Sequence, residues 1–150
     1  MALKDTIQDD LKAALLGGDR FVCDTLRNLK AAILNEEVAQ GKRDSGLSDD
    51  DIEKVVAKEV KKRNESIAIY EQNGRPELAE NEKKEADVLA KYLPAQLNEE
   101  EIQKIVSAKI TEMGVSGTQA MGQVIGAVKQ QVGSSADGAL VAKIVRETLK

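Results

Sequence analysis

The sequence predicts an all-α protein with an N-terminal helical region that carries a long hairpin, followed by a three-helix tail. Three observations predict it. Apolar residues recur every three or four positions from end to end, and no segment alternates with the period of a strand. Glycine or proline stands wherever the helical pattern lapses. The 150 residues are 41% apolar and 32% charged, which suits a folded chain with one modest core or two small ones.

Leu3, Ile7, Leu11 and Leu15 mark the buried side of a first helix, and Gly17-Gly18 stops it. A second helix over about 19–40 carries Val22, Leu26, Leu29, Ile33 and Val38, and residues 41–46 form a polar loop. Ser48 then offers a cap, and Leu47 with Ile52 has the spacing of a hydrophobic staple. The helix behind it, with Ile52, Val56, Val60, Ile67 and Tyr70 on one face, should reach about Gln72. At 1.5 Å per residue that is on the order of 36 Å. Asn73-Gly74-Arg75 reverses the chain, and Pro76 suits the first position of a fourth helix. Leu78, Ala86, Leu89 and Leu93 define its apolar side, so residues 49–92 make the hairpin.

Pro94 cannot continue a helix, and a capping box follows at once with Asn98 and Glu101. This places a boundary between an N-terminal part, 1–93, and a tail, 94–150. The tail should hold helices over about 99–113, 118–132 and 137–149. Gly122 and Gly126, four apart, are read as a close helix contact, and Ser134 as a cap for the last helix.

Composition excludes several chemistries. Without histidine there is no Ser-His or Cys-His nucleophile pair and no His-ligated zinc. A single cysteine, Cys23, excludes an internal disulfide and reads as a small core residue. No phosphate-binding loop motif occurs. Carboxylate pairs such as Glu36/Glu37 and Glu82/Glu85 lack the Glu-x-x-His partner of a bundle metal site and read as solvated helix faces, with pairs such as Glu71/Arg75. No catalytic residue, metal site or cofactor is expected. The N-terminus has no signal-peptide core, and no apolar run suggests a membrane span, so the expectation is a cytoplasmic protein.

Charge is uneven. Residues 1–101 hold 23 acids and 16 bases, whereas 102–150 hold three acids and six bases. Lys143, Arg146 and Lys150 stand three and four apart and share one side of the last helix. Cations so spaced are what a phosphate backbone requires. The tail has no aromatic residue beyond Tyr92, so base stacking is not its mode. The cluster Lys58, Lys61, Lys62 and Arg63 reads as a solvated face, with Glu59 and Arg63 paired.

Three stretches, Thr25–Glu36 (TLRNLKAAILNE), Lys58–Tyr70 (KEVKKRNESIAIY) and Gly74–Leu97 (GRPELAENEKKEADVLAKYLPAQL), together with Met121–Gly126 and Ala136-Asp137-Gly138, closely resemble the bacterial YqeY family. That family is similar to the tail domain of the B subunit of the glutamine-dependent aspartyl/glutamyl-tRNA amidotransferase, and the resemblance covers essentially the whole chain. It implies an all-α protein in two parts whose tail contacts transfer RNA. The amidotransferase's catalytic parts are not in this chain, so the family label of carbon–nitrogen ligase with glutamine as amido-nitrogen donor has no residues here to support it. The expected function is a non-catalytic tRNA-binding accessory protein, with Lys109, Lys129, Lys143 and Arg146 facing the phosphates and no DNA or membrane partner. The alternative is a helical protein-interaction module linked to tRNA amidation or modification, with a protein partner on the hairpin 49–92. One departure stands out: many relatives carry a basic residue where this sequence has Ser134-Ser135, ahead of Ala136-Asp137-Gly138.

Overall fold

The computed structural model describes residues 2–150, and its secondary structure is helical throughout. Seven α-helices run in order: α1 Leu3–Gly17, α2 Arg20–Ala39, α3 Asp49–Gln72, α4 Pro76–Ala90, α5 Glu99–Met113, α6 Met121–Val132 and α7 Gly138–Thr148. Short 3₁₀ turns, Thr118–Ala120 and Gly133–Ser135, precede α6 and α7. No strand occurs among the described residues. The chain divides into two compact units, one ending at Leu93 and the other beginning at Pro94.

In the first unit the core is built from Ile7 and Leu11 of α1, Leu26, Leu29 and Ile33 of α2, Ile52 and Val56 of α3, and Leu89 of α4. Cys23 is buried among them. The local signals that set these helices are visible in the hydrogen bonds. Gly18 takes φ 71°, closing α1 in the left-handed conformation that glycine tolerates. Asp19 accepts the Val22 N–H, Ser48 accepts the Asp51 N–H, and Pro76 occupies the first turn of α4. Leu47 and Ile52 are both buried in the same core cluster, as a staple requires.

The α3–α4 hairpin is held by more than apolar contact. Val60 packs against the core, Ala79 and Ala86 are buried between the helices, and Arg63 sits against Glu59 at 3.9 Å and Glu85 at 3.6 Å. Burial pushes the Glu85 carboxyl up, the Arg63 guanidinium pulls it down, and Glu82 beside it pushes it up again. Glu71 pairs with Lys83 across the hairpin at 3.0 Å rather than with Arg75.

Further expectations fail in this unit for physical reasons, among them the solvated face read for Glu37, which is buried against Lys4. Val38 and Leu15 are 58% and 52% exposed, because each lies off the side of its helix that meets the bundle. Leu78 is 38% exposed while Ala79 is buried, because α4 begins at Pro76 and its phase turns Ala79 inward. α4 also ends at Ala90, ahead of Pro94. There Tyr92 and Leu93 turn by i→i+3 bonds, and the Tyr92 hydroxyl donates to Asp10 Oδ2 at 2.6 Å.

In the second unit, Ile102 and Val106 of α5, Val124 and Val128 of α6, and Val141, Ile144 and Val145 of α7 form one cluster, closed by Val132 and Leu149. The capping box is complete: Asn98 accepts from the Glu101 N–H at 2.8 Å, and Glu101 accepts from the Asn98 N–H at 3.0 Å. The segment leading into α5 is fixed to the α6–α7 turn, with Leu97 N–H donating to the Ser135 carbonyl and Gln96 Nε2 to the Ser134 carbonyl. Ser134 therefore serves that turn and does not cap α7, whose N-cap residue is Asp137.

Candidate nucleic-acid interface

α7 presents its two sides cleanly. Val141, Ile144 and Val145 are buried, and Lys143, Arg146 and Lys150 are exposed. Lys143 and Arg146 stand three residues apart on the outward side, about one helical turn along the axis. α6 is built the same way. Val124, Val128 and Val132 face the core, while Gly122, Gly126 and Lys129, spaced four and three apart, share the opposite, exposed face. A Cβ on Gly122 or Gly126 would meet nothing within 4 Å, so these glycines mediate no helix contact. The spacing that reads as close packing instead leaves a smooth, backbone-lined surface leading to Lys129.

Lys129 reaches across to α7. A Cβ on Gly138, the first residue of that helix, would lie 3.2 Å from its Nζ. The α7 N-terminus has no side-chain cap, since Asp137 makes none. Lys129, Lys143 and Arg146 thus follow α7 from its first turn to its last. None of the three forms an ion pair among the described residues.

Lys109 stands apart. Its spacing from Ile102, Val106 and Met113 puts it on the inward side of α5, its side chain is 19% exposed, and its ammonium pairs with Glu112 at 3.3 Å. A lysine there covers apolar surface with its stem and carries its head out to the nearest acid. The structure groups three of the four predicted cations around α6 and α7. Lys150, which the sequence already placed on the same side of the last helix, and Lys104 are exposed as well and make no ion pair among the described residues.

Of the other clusters singled out in the sequence, some members take structural roles, while Lys58 and Lys61 are exposed and make no ion pair among the described residues. Lys62 and Arg63 both meet Glu59. Glu37 is buried and accepts from Lys4 Nζ at 3.1 Å. Tyr92 has its hydroxyl pKa pushed up by burial first and by Asp10 second. Among the described residues no group of acids or thiols is placed to hold a metal ion, and no helix is long and apolar enough to cross a membrane.

The chain matches the Yqey-like protein family over residues 4–149. Among curated proteins it is similar to altered inheritance of mitochondria protein 41 of Clavispora lusitaniae, 32% identical over 69% of this chain and 61% of that protein. The corresponding protein of Kluyveromyces lactis is 30% identical over 79% of this chain and 66% of its own length. That of Lachancea thermotolerans is 33% identical, with 71% and 57% covered. The chain therefore spans about three-fifths of the length of these relatives. They are fungal proteins named as mitochondrial, which corrects the expectation of a bacterial, cytoplasmic protein. With the match running through all seven helices, the chain belongs to the YqeY-like protein family.

Proposed function

We propose that this chain is a non-catalytic tRNA-binding accessory protein whose α6–α7 surface takes the phosphate backbone. The observation that carries the reading is the exposed, unpaired set Lys129, Lys143 and Arg146 beside a glycine face on α6. A phosphate backbone needs cations at helical spacing and a surface it can approach closely, and both are at hand. Arg146 adds a fork that can hold one phosphate through two N–H groups. No base-stacking platform exists in this unit, so recognition would follow the shape of folded RNA and not its sequence. Lys109, already matched by Glu112, contributes little to it. The mitochondrial names of the relatives bear on where such a protein works and say nothing of RNA.

Charge reversal at Lys143 and Arg146 together tests the reading. Affinity for tRNA should fall steeply while the circular dichroism spectrum stays helical. Unchanged affinity would remove α7 from the interface. A second reading, a protein partner on the hairpin, is favoured by Ile69 and Leu78, which are 56% and 38% exposed near its tip. Replacing both by serine should then abolish capture of that partner and leave RNA binding intact.

A further inference from the structure

The first unit has an open groove on the outer side of its core. It lies between α1 and α2, encloses about 390 Å³, and is floored by Ile7, Ile33 and Leu34. α2 is apolar on two sides. One side, Leu26, Leu29 and Ile33, is buried in the bundle. The other, Ala31, Leu34 and Val38, follows the i, i+3, i+7 spacing of a buried stripe, yet Leu34 is 45% and Val38 58% exposed.

The charges at the rim narrow what can cover it. Lys4 is matched within the chain by Glu37. Lys30, on the α2 lip, donates only to the neutral amide of Gln8 and makes no ion pair among the described residues. Asp5, on the α1 lip, makes none either. The groove therefore carries one spare cation on one lip and one spare anion on the other, with an apolar strip beside them. A partner of a single sign would satisfy one lip and repel the other. A two-fold axis satisfies both, because each patch then meets its own complement.

We infer that this groove is a homodimer interface. Leu34 and Val38 of each copy enter the groove of the other, and Lys30 of each copy pairs with Asp5 of its partner. The occupant is a second copy of this chain.

The test is sedimentation equilibrium of the full chain from micromolar to sub-millimolar concentration, with helicity checked by circular dichroism. The wild type should approach twice the mass of one chain. Lys30→Glu and Asp5→Lys should each weaken dimerisation by about tenfold, since each turns two exposed pairs into repulsions. The double variant, with the charges exchanged, should recover the wild-type constant. Leu34→Glu should give one chain's mass at every concentration. A monomeric wild type would overturn the inference, and so would a double variant that dimerises no better than the single ones.

Discussion

Neutralising the three unpaired cations makes the most exacting prediction, because electrostatic binding to nucleic acid has a countable signature. Each phosphate contact that is lost makes the logarithmic salt dependence of the binding constant shallower by about 0.9 for duplex-like RNA. Replacing Lys129, Lys143 and Arg146 by glutamine should therefore flatten the slope by about 2.7. Between roughly 50 and 200 mM salt, that difference amounts to about 40-fold in affinity. Lys109 supplies the internal control. Its charge is already met by Glu112 at 3.3 Å, and its stem lies on the inward side of α5. Lys109→Gln should thus leave the slope nearly where it was. Fluorescence anisotropy of labelled tRNA across a salt series measures both. A triple variant with the wild-type slope would refute the α6–α7 interface, and an equal drop for Lys109→Gln would refute the argument from unpaired charge.

Three further outcomes follow from the local structure. Asn98→Ala removes the side-chain half of the α5 capping box, leaving only the backbone N–H of residue 98 to donate to Glu101, and should cost about 1 kcal/mol in denaturant unfolding. Gly126→Ala, in the interior of α6 with open space around the new methyl, should raise stability by about 0.5–1 kcal/mol in the same assay, and Gly122→Ala, in the first turn, by less; a loss would mean that the glycines do pack against something. Tyr92 has its folded-state pKa raised above the ordinary value of 10.0, so above that pH the unfolded chain ionises first and stability falls as pH rises. The decline above pH 10 should be measurably shallower in Tyr92→Phe than in the wild type.

Much of the fold was legible because its signals are local. Ser48, Pro76 and Asn98 act within one turn of where they stand, and each starts a helix as its side chain dictates. Phase was harder. A stripe such as Leu34–Val38 has the spacing of a buried face, but periodicity cannot say whether this chain covers it, and here it does not. Gly122 and Gly126 show the same ambiguity from the other side: four-residue spacing of glycine permits a close helix contact without supplying the second helix. Of the site, Lys143 and Arg146 could be read from one helix alone. The setting of Lys129 depends on where α7 begins, and Lys109 is distinguished from them only by its pairing with Glu112 and by the burial of its stem. Such properties belong to packing between helices, which spacing along one helix does not encode. Compartment was misjudged for a different reason, since composition carries no information about where relatives reside.

Binding of folded tRNA by this protein is read out by titrating the purified chain against bulk tRNA and a length-matched unstructured RNA at low and near-physiological salt. A phosphate-binding surface on α6 and α7 gives saturable binding that prefers tRNA and weakens as salt rises. Equal, weak binding to both RNAs would contradict it and leave the cations of α6 and α7 as ordinary surface charge.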